Sequence, residues 1–95
     1  MALEINFYSI LKMELDTPQI ELELDDEINI KQLIEKLDKK YDNIFTKKLL
    51  SDSGSEIDRG TIILVNGHNV LHLDGLDTKV GNSDKIAVFP PSGGG

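Results

Sequence analysis

The hydrophobic spacing of this chain changes period twice, and that change restricts its possible folds more than any other feature of the sequence. From Ala2 to Leu11, the residues Leu3, Ile5 and Phe7 alternate with Glu4, Asn6 and Tyr8, the period of two that a half-buried strand requires. Asp16-Thr17-Pro18 breaks the run, and Gln19 to Leu24 alternates again with Ile20, Leu22 and Leu24 on one face. These two runs read as an antiparallel hairpin. The spacing then becomes helical: Ile30, Leu33, Ile34, Leu37 and Tyr41 share one face, with Lys31, Glu35, Lys36, Asp38 and Lys39 opposite. Asn29 is placed to cap this helix, Gln32 to complete a capping box and Ile28 to act as a staple. Asp25-Asp26-Glu27 lie just ahead of the start, where negative charge complements the helix dipole.

Beyond the helix the period of two returns. Asp42 to Leu50 carries Phe45, Leu49 and Leu50 and predicts a short second helix or turn; Ser51 to Glu56 is expected to be a mobile loop. Thr61 to Val65 is a continuous β-branched and aliphatic run, expected as a well-buried strand. Asn66-Gly67 is the strongest short signal for a type I′ turn, and a short strand is expected near Asn69 to His72. Leu73 to Ser83 is turn-rich, and Lys85 to Phe89 is the last strand, which Pro90 cannot continue. Two strands, one helix and further strands predict an α+β domain with one main amphipathic helix across one face of a mixed four- to five-stranded sheet. If the first and last strands pair in parallel at its centre, the helix lies in a right-handed crossover, and the expected fold is the ubiquitin-like β-grasp.

Composition excludes several functions. Ninety-five residues allow one small domain, since chains of this size bury only roughly 60 to 68% of their unfolded surface. The absence of cysteine removes disulfides, thiolate metal sites and a cysteine nucleophile, and suits a reducing cytoplasm. Seventeen acidic residues against ten basic ones give a net charge of −7, which repels phosphate backbones, so nucleic acid is not an expected partner. Ile62 to Val65 is far shorter than the roughly 20 apolar residues of a membrane helix, and no membrane association or secretion is expected.

Few residues carry catalytic chemistry of their own. The acidic cluster Glu21, Glu23, Asp25, Asp26 and Glu27 lacks the spacing of a calcium loop and reads as a solvated face. His68 and His72, if both lie on a strand, are about 13 Å apart and share no metal. The serines around Gly54 have no strand-to-helix elbow or positioned histidine, and Gly54, Gly60, Gly67 and Gly75 fit turns without forming a phosphate-binding fingerprint. No metal, bound cofactor or catalytic residue is expected. Tyr8 and Phe89 stand apart: alternation puts both on the sheet face opposite Leu3, Ile5, Phe7, Ile86 and Val88, where exposed aromatics mark an interface. The competing expectation is a satellite core beneath the loop from Ser51 to Gly60.

The C-terminal run Pro90-Pro91-Ser92-Gly93-Gly94-Gly95 is the one stretch with unusual chemistry. The chain is therefore divided into a domain over residues 1–89 and a flexible tail over 90–95. Proline stiffens the departure from the last strand, keeps Phe89 extended and points the tail away from the domain; glycines without Cβ atoms can enter a channel closed to side chains. Fully extended, six such residues span about 20 Å, enough to reach a partner's active site. At ordinary usages of roughly 7% Gly and 5% Pro, the four fixed positions Pro90, Pro91, Gly94 and Gly95 coincide by chance about once in 10⁵, so the run is not read as a frayed end.

Val65-Asn66-Gly67, Leu73-Asp74-Gly75-Leu76-Asp77-Thr78, Asp84-Lys85-Ile86 and Phe89-Pro90-Pro91-x-x-Gly94-Gly95 together resemble the small subunit of molybdopterin synthase and its ubiquitin-like sulfur-carrier relatives. Asn82-Ser83, where the family commonly has glycine before the aspartate, and the third terminal glycine Gly93 depart from the pattern. The longer segment from Asn43 to Gly60 resembles an archaeal-type branch shared by sulfur carriers and small archaeal modifier proteins. The resemblance implies that an E1-like enzyme uses ATP to adenylate Gly95 and that sulfur, supplied by a sulfurtransferase, converts it to a thiocarboxylate for molybdopterin synthesis. It further implies that Pro90, Pro91, Gly93 and Gly94 are recognised as the tail, and that Tyr8 and Phe89 dock on the activating enzyme and on the molybdopterin synthase large subunit in turn. Two alternatives are a protein modifier joined to lysines through Gly95 and a carrier serving thiazole, cysteine or tRNA thiolation.

Overall fold

The structure, a computed structural model, describes residues 1–91. Strand β1 (Leu3–Phe7) buries Leu3, Ile5 and Phe7 as the alternation requires. It does not continue to Leu11. Ser9 takes a left-handed φ of 59° and a helix, α1 (Ser9–Leu15), follows, so β1 and its neighbour are joined by a helical turn rather than a tight hairpin. The cause is visible in the spacing: Leu11 and Leu15 are four apart, which places them on one helical face, and Leu11 is fully buried with Leu15 packed beside it. Asp16, also left-handed, closes the helix by donating its N–H to the Met13 carbonyl. Strand β2 (Gln19–Leu22) then returns antiparallel to β1, with Leu3 opposite Leu22 and Ile5 opposite Ile20.

Helix α2 (Ile30–Lys40) has the expected capping box: Asn29 accepts from the Gln32 N–H at 2.8 Å, while the Gln32 side chain accepts from the Asn29 N–H at 2.9 Å. Ile30, Leu33, Ile34 and Leu37 join Leu3, Ile5, Phe7, Ile63, Val65, Ile86 and Val88 in one core between helix and sheet. Asp38, expected on the polar face, is instead only 7% exposed. Its Oδ1 accepts from the N–H groups of Phe45 and Thr46 at 2.9 and 3.0 Å, and its Oδ2 accepts from the Thr46 hydroxyl. One helix thus caps the next, α3 (Ile44–Leu49), whose own preceding residue Asn43 makes no side-chain cap.

Strand β4 (Ile62–Val65) turns through Asn66 and Gly67, both at positive φ as a type I′ turn needs, into β5 (His68–Asn69). The apolar run is not buried on both faces as expected: Ile63 and Val65 are buried, while Ile62 is 43% exposed. After Asn69 the chain forms a 3₁₀ turn over Val70–His72 rather than more strand, because the Asn69 side chain takes the Leu71 N–H. The turn-rich segment supplies an unforeseen pair, β3 (Ile28–Asn29) with β6 (Lys79–Val80), which clasps the entrance of α2. The last strand, β7 (Lys85–Phe89), is parallel to β1 and antiparallel to β4, giving the mixed five-stranded order β2-β1-β7-β4-β5.

Candidate functional site

The face of the sheet away from the helices is polar on one side and apolar on the other. Glu4 pairs with Glu21 and Asn6 with Gln19 across β1 and β2, a hydrophilic margin. Across β7 and β4, Ala87 pairs with Leu64 and Phe89 with Ile62. Tyr8, just past the end of β1, stacks on Phe89 with ring centroids 4.3 Å apart and planes 10° from parallel. Parallel pairing of the first and last strands brings these two aromatics together, as their alternation implied. Tyr8 is 42% exposed, so Tyr8, Phe89 and Ile62 form an open apolar patch at the end of the central strand. The loop from Ser51 to Gly60 does not bury it as a satellite core: Ile57 packs against the main core instead.

Ile62 is the member of this patch that sequence alone missed, because four consecutive aliphatic residues conceal which face each takes. The register supplies the answer, since Ile62 lies opposite Phe89.

At the other edge of the patch the tail begins. Pro90 is buried and Pro91 half-buried, so these two prolines are held by the domain rather than standing clear of it. Pro91 lies against Gly60, where an added Cβ would be 2.9 Å from the Pro91 Cβ and 3.2 Å from its Cα. Gly60 sits in a turn as expected, but positive φ is not its requirement; close approach of another backbone is. The turn is tied down on both sides. The Asp58 side chain accepts from the Gly60 N–H at 3.1 Å, its carbonyl accepts from the Thr61 N–H, and the buried Thr61 hydroxyl donates to the Leu49 carbonyl at the end of α3. The expected tail residues Gly93, Gly94 and Gly95 lie outside the described residues.

The recurring residues behind the family resemblance have structural work. Asn66 donates to Asp84 through Nδ2 and accepts from the Lys85 N–H through Oδ1, both at 2.9 Å, tying the β4–β5 turn to the start of β7. Asp84 also accepts from the Gly81 N–H. Thr78 takes the Asp74 N–H on its hydroxyl and the Ile30 N–H on its carbonyl, thereby satisfying the entrance of α2. Asn82, a departure from the family pattern, forms a reciprocal clamp on the Leu24 backbone with two bonds of 2.9 Å.

Other candidates do not converge. Among the described residues no group of three or more His, Cys, Asp or Glu side chains is arranged to hold a metal ion. The extended spacing expected of His68 and His72 does not apply, since His72 ends the 3₁₀ turn. The serines near Gly54 bond to one another, Ser51 to Ser53 and Ser53 to Ser55, on an exposed loop. An open cleft of ≈ 400 Å³ between α1 and α3 holds the Glu14–Lys48 ion pair beside Tyr41 and Ile44, a mixed surface with no nucleophile beside a base. No helix among the described residues is long and apolar enough to cross a membrane.

Comparison with known proteins gives a consistent set of matches. The model of the ThiS family matches residues 11–95. The chain is 30% identical over 95 residues to small archaeal modifier protein 3 of Haloferax volcanii, covering 100% of both chains. The solution structure of the Haloferax volcanii HVO 2177 protein superposes with a TM-score of 0.80 at 32% identity, covering 100% of this chain and 87% of that one. A chain of the crystal structure of the Amycolatopsis orientalis BexX/CysO complex gives a TM-score of 0.79 at 19% identity, covering 99% of this chain and 100% of that one. The fold is the ubiquitin-like β-grasp.

Proposed function

This chain belongs to the ThiS family, and from that premise we propose that it acts through the carboxylate of Gly95 as a sulfur carrier. An E1-like enzyme binds the domain and ATP; one carboxylate oxygen attacks the α-phosphorus and pyrophosphate leaves. The acyl adenylate now has a good leaving group. Sulfur delivered by a sulfurtransferase at the oxidation level of sulfide attacks the acyl carbon, AMP departs with the oxygen, and a thiocarboxylate remains. ATP is consumed by the partner, and this chain is substrate and carrier.

The observation that carries the reading is the start of the tail at Pro90 and Pro91. It continues a central strand, and it starts beside the open patch of Tyr8, Phe89 and Ile62 on a domain whose described residues offer no catalytic constellation. A partner that covers this patch desolvates two aromatic faces and holds the domain while the glycines reach its active site. The activating enzyme and the sulfur acceptor would use the same face and therefore bind in turn. The finding of a β-grasp chain in the BexX/CysO complex supports partners of this general kind. The Phe-Pro-Pro run before the terminal glycines favours the molybdopterin synthase large subunit as acceptor; thiazole, cysteine and tRNA thiolation are the other destinations.

A second reading, conjugation of Gly95 to substrate lysines, is favoured by the whole-length relative whose name is that of a modifier. Activation is common to both, and the fate of the adenylate separates them. Intact mass analysis after incubation with the E1-like enzyme, ATP and a sulfur source is expected to show one oxygen replaced by sulfur. Failure of that exchange, together with Gly-Gly remnants on lysines of cellular proteins, would transfer the assignment to the modifier.

A further inference from the structure

Gly60 is exposed, has no positive φ to demand glycine, and sits in a turn whose neighbours are held by four hydrogen bonds: Gly60 to the Asp58 carboxylate, Thr61 to the Asp58 carbonyl, and the Asp58 N–H and Thr61 hydroxyl to the Leu49 carbonyl. Its missing side chain is explained by one neighbour, Pro91, whose Cβ, Cα and Cγ are the three nearest atoms to a Cβ built there, at 2.9, 3.2 and 3.5 Å. None of these is the free end of a flexible chain. Two are ring carbons and one is backbone, so a methyl group at position 60 must displace Pro91 itself. Pro90 is buried against the domain immediately before. The tail therefore meets a rigid seat on one side and two φ-restricted residues on the other, at the point where residues 92–95 begin.

We propose that Gly60 is a positioning residue: its bare Cα is the seat for Pro91, and the contact sets the heading with which the C-terminal tail leaves the domain. The proposal rests on the carrier reading for its consequence, since heading matters when the terminal carboxylate must reach a reacting atom in a partner. It divides labour between two adjacent places. The patch of Tyr8, Phe89 and Ile62 holds the partner, and the seat directs the tail once the partner is held. A substitution at the seat should then slow the reaction of bound chains without weakening binding.

The contact is tested first in the free protein. Nuclear Overhauser effects between the Gly60 α-protons and the Pro91 ring are expected in the wild-type chain; their absence overturns the seat. The second arm measures pyrophosphate release with the E1-like enzyme and ATP for wild type, Gly60→Ala, Pro91→Gly and the double variant. Gly60→Ala is expected to lower kcat about tenfold at unchanged KM, on the scale by which small misplacements of a reacting group are felt. In the Pro91→Gly background the same alanine should have a smaller further effect, because the ring carbons at 2.9 and 3.5 Å are gone and only the backbone Cα remains, free to shift. Wild-type rates for Gly60→Ala, with the wild type itself active, overturn the proposal, as does a rise in KM alone. Amide spectra establish that each variant is folded; if Gly60→Ala is not, Pro91→Gly tests the same contact without an added atom. An inactive wild type counts against the carrier reading and leaves the Overhauser effects to decide the seat.

Discussion

Replacing Asp38 by alanine removes a buried junction between two helices. The carboxylate is 7% exposed and accepts from two backbone N–H groups of α3 and from the Thr46 hydroxyl. Phe45 is fully buried, so water cannot easily replace the bond to its N–H; Thr46 is half-buried and recovers part of its loss from solvent. A cap of this kind is worth about 0.5–2 kcal/mol, and a charged acceptor that leaves a buried donor behind adds about 1–3 kcal/mol. Discounting the part regained by hydration, Asp38→Ala should cost about 3 kcal/mol, a large share of the roughly 5–15 kcal/mol available to a domain. In a chain of this length, at about 4–8 °C per kcal/mol, that corresponds to a fall in Tm of about 12–24 °C. Asp38→Asn is the control, since its amide oxygen can still accept from both N–H groups; it should lose about 1 kcal/mol. Urea unfolding followed by circular dichroism gives both values. Equal losses for alanine and asparagine, or an alanine variant within about 0.5 kcal/mol of wild type, would refute the capping role.

Three further outcomes follow from the site and its supports. Tyr8→Ala should change stability by only about 1 kcal/mol, since the ring is half open to solvent, yet raise KM for the activating enzyme several-fold with kcat little altered; paired urea and pyrophosphate-release measurements check this. Asn66→Ala loses both side-chain bonds to the start of β7 and puts a Cβ-bearing residue without a local bonding partner at φ 51°, so it should destabilise by about 1–2 kcal/mol in the same unfolding assay. Deletion of Gly94 and Gly95 should leave the Tm unchanged and abolish adenylation; an unfolded or fully active product contradicts the separation of domain and tail.

The legible parts of the sequence were those in which one local pattern has one meaning. Helix α2 announced itself by spacing and by Asn29 with Gln32, and β7 by its alternation and by Pro90. The order of elements allows the parallel pairing that joins Tyr8 to Phe89, and the register supplies it. What escaped notice depended on neighbours distant in sequence. Ile10 and Leu11 look like a continuing strand until Leu15 is counted with Leu11, and Asp38 looks like surface until α3 folds back over it. Gly60 read as a turn residue because its true constraint, Pro91, lies thirty-one positions away. Residues such as Asn66 and Asp84 carry the family resemblance, and the bond between them, with those to Lys85 and Gly81, explains them as braces for the sheet.

The central position of β7 also ties the start of the tail to the completed sheet. β1 and β4 have no direct ladder with each other; each pairs with β7, which closes the sheet between them. Pairing β1 with β7 joins segments at opposite ends of the described chain and costs the entropy of closing a long loop. β7 is thus the strand that gives β1 and β4 a shared partner, and a molecule with β7 displaced loses its stacked aromatics and the seat for Pro91 in the same event. On the carrier reading proposed above, correct assembly and readiness for activation are thereby linked, so a partner that recognises the patch and the tail together would select for finished molecules.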